Sequence, residues 1–471
     1  MKNTQQFRIE TDSLGDVQVP ADKFWGAQTQ RSLQFFAIGQ QQFSREFIYD
    51  FVLVKKAAAI ANQNLGLLGK QQSDLIQAAA DSVTNGGYDD QFPLSVWQTG
   101  SGTQTNMNVN EVIANLANLL AGGKLGSKSP VHPNDHVNLS QSSNDVFPTV
   151  MHVTTTRVLQ QTLLPALQKL ERTFEKKSSQ FASAIKIGRT HMMDATPVTL
   201  GQEFGAYAAQ MAFAREQLTT SAPGIAALAI GGTAVGTGMN SNPDWPPSVI
   251  AQINRLSGYS FIEAENKFSQ MAAHDALTNV HNQLSLLASA LYKIASDMRL
   301  MNSGPRCGLA EINIPANEPG SSIMPGKINP TQIEALTMVC LRVMANNTAV
   351  TMANSQGQFQ LNAYKPLLIT TLLESLQLLA DAMQSFTRHC LEGVEANTPQ
   401  LKHYLKSSLM LVTALTPTIG YDRAATAAKY AHGENISLKR AVVDLRFLSE
   451  SEFDELVKVD TMLGPIDDEE N

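Results

Sequence analysis

The sequence predicts a mainly α protein of three domains, with a central bundle of long helices that tetramerises into a multi-helix core. Three observations carry this expectation. Long stretches without proline in the middle of the chain repeat apolar residues at alternating steps of three and four, the pattern of near-parallel helices packed at shallow angles. The 471 residues exceed what a single core usually holds. Charged residues make up only 16% of the chain, below the roughly 25% usual in a soluble protein, so part of the surface is expected to lie against other subunits.

Taken in order, residues 1–139 mix short segments with Gly, Pro and Asn punctuation and read as a mixed, mostly helical first domain. The central domain, 140–398, carries the long helices. One apolar series runs Val280, Leu284, Leu287, Leu291, Ile294, Met298, Met301; another runs Leu372, Leu376, Leu379, Met383, Phe386, Cys390; a third begins Ile333, Leu336, Cys340, Val343. A fourth helix is expected after Asn144, through Val150, Val153, Leu159, Leu163, Leu167, Leu170 and Phe174, with Pro165 predicting a kink or a break. Unbroken to Ala182 it would span roughly 55 Å, and helices of such length usually bury their seams against copies in another subunit. Residues 399–471 hold shorter helices with polar connections and read as a small third domain, and the acidic tail Asp467 to Glu470 as a frayed end.

Composition excludes several function classes. A net charge of −7 is unsuited to binding nucleic acid, which needs a basic patch. Cys307, Cys340 and Cys390 are odd in number and far apart, so neither a disulfide framework nor a zinc site is indicated, and reduced, cytoplasmic thiols are expected. Met1 to Pro20 lacks the apolar core of a targeting peptide. Ala222 to Asn240 is uncharged over nearly a membrane-spanning length, but its glycines and threonines make it a buried turn-rich loop rather than a span.

Four segments rich in small, hydroxyl and amide residues stand out: GSGTQTN from Gly100, QSSND from Gln141, GRTH from Gly188 and GSSIMPGKINP from Gly320. Each is expected to lead into a helix, whose free N–H groups and dipole make an anion site. In the last, Asn329 is expected to cap, Pro330 to open the helix and Gln332 to complete a capping box. Alone, a Ser/Asn pair before a helix is most often a simple cap, a lone histidine such as His191 is most often structural, and Glu334 in a first turn is an ordinary dipole partner. A P-loop reading fails, because five residues separate Gly320 from Gly326 and Ile328 stands where Ser or Thr would hold magnesium. His191 has no second histidine at metal-ligand spacing, so a metal role is not expected there; no cofactor is expected.

The combination is more telling. GSSIMPGKINP, with Glu334 downstream, resembles the signature of the fumarase/aspartase superfamily, whose members eliminate a group β to a carboxylate and release fumarate. GSGTQTNMNVNE from Gly100, VHPNDHVN from Val131, SQSSND from Ser140 and IGRTHMMDATPVTLGQE from Ile187 are similar to class II fumarase, and the likeness runs from Phe24-Trp25-Gly26 to Phe453-Asp454. Aspartase typically carries glutamine where this chain has His191. Argininosuccinate and adenylosuccinate lyases carry bulkier or more basic residues at Gly326 and Ile328.

The resemblance implies reversible hydration of fumarate to L-malate without metal. It assigns Ser321 as the base, His191 to the general-acid role, Lys327 and Asn329 to the doubly charged carboxylate, and Glu334 to orienting or charging the histidine. Ser101, Gly102, Thr103, Ser142, Ser143, Asn144, Thr190 and Ser322 match the binders of the substrate carboxylates. It further implies a homotetramer whose active sites draw on three subunits, with no nucleic-acid or membrane partner. His132, Pro133, Asn134 and Asp135 match a second dicarboxylate site of the family, although Ser129 stands where some relatives have arginine and Leu139 replaces a common lysine. An ammonia lyase of the aspartase type and a non-catalytic structural member are the alternatives; the joint presence of Ser321, His191, Lys327, Asn329 and Glu334 argues against the second.

Overall fold

A computed structural model describes residues 6–464; the acidic tail lies outside the described residues. The fold is mainly helical, as the apolar periodicity predicts, with four two-stranded sheets among the described residues. The chain divides into two compact units, each assembled from three separated stretches.

The first unit comprises the chain up to Leu164, Glu216–Leu286 and Arg342–Leu379. Its helix Arg45–Asn64 begins at Ser44, whose hydroxyl accepts from Phe47 N, and places Phe47 and Phe51 one turn apart on its buried face. Both rings pack on Phe147, at centroid distances of 5.3 and 5.9 Å. Each such buried ring contributes roughly 1.5–3 kcal/mol. Helix Thr103–Leu120 is buried over most of its length, and Glu111 in its middle accepts hydrogen bonds from the backbone of Gly26, Gln28 and Thr29. The Trp25-Gly26-Ala27 turn is thereby fixed to it. The uncharged run from Ala222 forms a short 3₁₀ helix and a glycine turn in which Leu228 through Thr233 are buried, whereas Val235 and Met239 beyond it are exposed, so the expected burial holds only for its middle.

The helix expected to kink at Pro165 starts at Ser143, and Ser142 and Asp145 close a capping box ahead of it. It neither breaks nor stops. A single wide turn of π-helix, Leu159–Leu163, joins Ser143–Val158 to Leu164–Gln180. Proline supplies no N–H and crowds the carbonyl four residues back, and the widened turn directly upstream accommodates both effects.

The second unit comprises Pro165–Arg215, Leu287–Leu341 and the chain from Ala380. Its antiparallel hairpin pairs Ile185–Thr190 with Met193–Thr199, and buried Glu311 holds the base by ion pairs to Lys186 at 2.9 Å and Arg189 at 2.7 Å. Toward the C-terminus, short helices gather around Leu411, Leu415, Ala427, Leu438, Val442 and Phe453. The seam residues named from the sequence are buried in both units, from Val280 and Leu284 through Met298 and Met301, and from Leu372 through Cys390. Among the described residues one stretch, Lys365–Gly393, is long and apolar enough to cross a bilayer, and 56% of its most apolar window is buried inside the protein.

Candidate active site

In the first unit the structure brings two of the four segments together. Gly102 precedes the helix Thr103–Leu120 with φ of +78°, and a Cβ there would lie 2.1 Å from the Phe147 ring. Glycine is required on both counts. Gly100 is equally constrained, since a Cβ would meet the Ala363 carbonyl oxygen at 1.3 Å. Out of this tight turn come the hydroxyls. Ser101 and Thr103 are 2.8 Å apart, and Thr103 Oγ1 reaches Ser143 Oγ at 2.7 Å. Ser142 Oγ accepts from Asn144 N, and Asn144 Nδ2 donates to Ala234 O at 2.8 Å. These half-buried groups form a concerted set of donors beside two helix N-termini, an arrangement suited to carboxylate.

Behind this wall lies a charged cluster that sequence reasoning missed. Buried Asp145 accepts from the backbone N–H of Ser142, Gly231 and Thr233, each at 2.9 Å. Burial still raises its carboxyl to about 6. Lys55 is fully buried and donates to Asn106, Asn138 and Gln141 at 2.7, 3.0 and 3.0 Å, which occupies all three of its N–H groups. Lys365, also fully buried, donates its backbone N–H to Gly100 O at 3.0 Å, while its Nζ makes no hydrogen bond among the described residues. Burial lowers both ammonium groups to about 7, and Asp145 opposes that shift in each. One signal for Lys55 was available: it follows Phe47 and Phe51 at the four-residue step of an apolar stripe.

In the second unit the signature segment folds into a loop closed at its neck. Gly320 N donates to Lys327 O at 2.8 Å and Asn329 Nδ2 donates to Gly320 O at 2.5 Å. The expected cap does not form: among the described residues no helix N–H donates to Asn329 Oδ1. The helix begins at Thr331, the amide of Asn329 turns to Gly320, and Gln332 accepts from Ser385 instead of completing a capping box. Ser321 Oγ accepts from the backbone N–H of Met324 at 3.0 Å and Ile323 at 3.3 Å. Ser322 and Lys327 are exposed on the same loop, and Glu334 pairs with Arg299 at 3.3 Å.

His191 corrects another expectation. The GRTH segment leads into no helix; Thr190 ends a strand, and His191 and Met192 form the turn of the hairpin with φ of +56° and +63°. Two successive left-handed residues match the right-handed twist of the paired strands. The imidazole is exposed, and among the described residues no hydrogen bond joins it to Ser321 or Glu334.

His132 caps a five-residue π-turn, Pro133–Val137, its Nδ1 accepting from Asn134 and Asp135 N–H. It lines a cavity of about 430 Å³ with Lys128, Asp135, Glu10, Asp12 and Glu111. The three cysteines are unpaired, and among the described residues no three His, Cys, Asp or Glu side chains converge as metal ligands would.

A glycine-tight cluster of hydroxyls in one unit and a closed Ser–Lys–Asn loop in the other are borne by a helical scaffold of a recognised kind. Residues 15–345 match the family described as Lyase, and the chain belongs to it. Residues 411–464 match the family described as Fumarase C C-terminus. The chain is 58% identical to the class II fumarate hydratase of Thermosynechococcus vestitus over 98% of its own length and 99% of that protein's. It is 53% identical to the mitochondrial fumarate hydratase of Saccharomyces cerevisiae, over 98% and 94%. The crystal structure of class II fumarase from Schistosoma mansoni superposes with a TM-score of 0.95 at 42% identity, covering 98% of this chain and all of that one. Within the lyases, the chain is a member of the class II fumarate hydratases.

Proposed function

We propose that the chain interconverts fumarate and L-malate, with Ser321 as the base and His191 in the general-acid role. The observation that carries this reading is the Ser321 hydroxyl, whose oxygen accepts two backbone N–H groups within its own loop. A serine is a poor base because its alkoxide is costly; donors aimed at that oxygen lower the cost.

In the dehydration direction Ser321 takes the proton from the carbon next to a carboxylate. The electron pair left behind is held as a doubly charged carboxylate by Lys327 and Asn329. His191 donates a proton, directly or through a water, to the departing hydroxyl, which leaves as water. Ser101, Thr103, Ser142, Ser143, Asn144, Thr190 and Ser322 hold the carboxylates, and Gly102 shapes the turn between two of them. Glu334 supports the histidine. Exposed Ile323, Met324 and Ile328 make the loop a lid that excludes water once substrate is bound.

The working assembly is a homotetramer in which each site takes its motifs from three subunits. In the single chain Met338 and Leu341 stand 65% and 53% exposed on a long helix, an apolar surface that a neighbouring subunit would cover. The enzyme acts in the cytoplasm, and His132 to Asp135 form a second dicarboxylate site apart from turnover.

The test is fumarate absorbance on adding L-malate. Ser321→Ala abolishes turnover while the protein stays folded and still binds a dicarboxylate inhibitor, and His191→Asn loses most of the rate. Normal turnover in the serine variant would remove Ser321 from the mechanism; ammonia released from aspartate would move the chain to the other branch of its superfamily.

A further inference from the structure

The end of the hairpin that carries His191 stands free. Thr190 through Asp194 are all exposed, Met192 and Met193 at 65% and 70%, and among the described residues no side-chain hydrogen bond ties them to the rest of their unit. The last side chain before the turn that meets a partner is Arg189, and the partner is Glu311. We propose that Glu311 is a positioning residue for the general acid: its carboxylate clamps Lys186 and Arg189 at the base of the hairpin and so fixes where the imidazole of His191 is presented. This rests on the hydratase reading, in which His191 supplies the proton.

Glu311 is itself rigidly held. Its side chain is fully buried, and its backbone is tied on both sides: Glu311 N donates to Met301 O at 2.7 Å, and Glu311 O accepts from Asn397 N at 2.9 Å. Asn397 Nδ2 also donates to Ala310 O at 2.8 Å. From that seat one carboxylate oxygen meets Arg189 Nη1 at 2.7 Å, and the other lies 2.9 Å from Lys186 Nζ. Lys186, whose side chain is 3% exposed, donates further to Glu203 at 2.8 Å. The Tyr404 ring packs against Arg189, its centroid 5.6 Å from the guanidinium carbon, and its hydroxyl donates to Gly308 O at 3.2 Å. A carboxylate shut away from water keeps close hold of the cations that compensate it, because leaving either unpaired is costly.

The clamped residues flank the point where the strand pairing changes. Ile187 pairs with Pro197 but Arg189 pairs with Asp194, so Ala195 and Thr196 together oppose Gly188. Such a bulge bends a strand and re-aims the side chains beyond it. Gly188 faces it closely, since a Cβ there would come within 2.6 Å of Thr196 O. Lys186 holds the first strand before the bulge and Arg189 holds it just after. His191 follows two residues on, so a shift at Arg189 passes directly to the imidazole.

The experiment measures kcat and KM for L-malate in the full chain, for the parent, Glu311→Gln, Glu311→Asp, His191→Asn and the double variant Glu311→Gln/His191→Asn. Glu311→Gln keeps the size of the side chain and loses the ion pairs. Its kcat falls by roughly tenfold to a hundredfold, the scale expected when a reacting group is displaced by about an ångström. KM rises by no more than about threefold, because all the groups assigned to the substrate carboxylates except Thr190 lie on other segments. Glu311→Asp retains the charge and recovers part of the lost kcat. In the double variant kcat equals that of His191→Asn within about twofold, since the glutamate acts on the rate only through the imidazole. A glutamate that merely stabilised the fold would instead multiply its loss with that of the histidine.

A parent-like kcat in folded Glu311→Gln, or a loss that multiplies with that of His191→Asn, overturns the inference and leaves the hydratase intact. Should Glu311→Gln not fold, Arg189→Lys replaces it in the same cycle. That variant keeps the cation but shortens its reach to Glu311; its kcat should fall in the parent and not in His191→Asn, and either failure overturns the inference. Full turnover in His191→Asn alone removes the histidine from the mechanism and the inference with it. A parent chain that does not turn over malate ends the hydratase reading as a whole.

Discussion

The buried histidine at position 152 makes stability strongly dependent on pH. His152 is 2% exposed, and its Nδ1 lies 3.0 Å from the Ile225 carbonyl oxygen. Burial lowers its pKa from 6.5 to about 4, because a charged imidazolium there would forgo hydration. As pH falls, the unfolded chain therefore takes up this proton well before the folded one does. Linkage then makes the folded state lose stability progressively from about 6.5 down to about 4. Between pH 7 and pH 5 the loss from this one group comes to about 2 kcal/mol. Asp145, raised by burial to about 6, acts in the opposite sense, but its contribution is common to parent and variant. The assay is urea unfolding at both pH values, at one fixed protein concentration since subunit association shifts apparent stability. His152→Gln keeps an amide donor for Ile225 and removes the titration. The parent should lose about 2 kcal/mol more than His152→Gln on going from pH 7 to pH 5. Equal losses in the two proteins, within a few tenths of a kcal/mol, would refute the argument that burial keeps this imidazole neutral.

Gly102→Ala combines a left-handed backbone with contact against the Phe147 ring, together about 3 kcal/mol of destabilisation; thermal unfolding should show it, with a raised KM as the Thr103–Ser143 contact is disturbed. His132→Asn should leave turnover within about twofold of the parent, since the second cavity stands outside the proposed chemistry, while titration calorimetry loses a weak class of dicarboxylate binding. Chelator treatment should leave the rate of malate dehydration unchanged, because every group in the proposed mechanism is an organic side chain or backbone N–H; activity restored only by added metal would contradict it.

Much of this was legible in the sequence, and the failures are instructive. The seams through Leu284, Leu291 and Met298 were visible because a helix fixes neighbours every three or four residues. The GSSIMPGKINP loop was identifiable as a unit, but not its internal bonding: that the Asn329 amide donates to Gly320 O follows from how the loop closes on itself. The GRTH segment misled for a related reason. Glycine, arginine, threonine and histidine suit a helix entrance or a hairpin turn, and the pairing of Ile185 with Thr199 and Ile187 with Pro197 decided between them. Pro165 announced a perturbation, not its form, because the widened turn depends on the packing of Leu159 and Leu163.

By itself the sequence determined which long stretches are helical and which faces of them are buried, since these follow from spacing within a turn or two, and it marked four segments as candidates for the site. The tertiary structure alone decided that Lys55 meets Asn138 and Gln141, 83 and 86 residues away, that the backbone N–H of Lys365 meets Gly100 O, and that Asp145 gathers the N–H groups of Gly231 and Thr233. Contacts of that separation leave no periodic trace in the chain. They exist because packed helices bring distant positions into one buried volume, where a charge without water must find its partner.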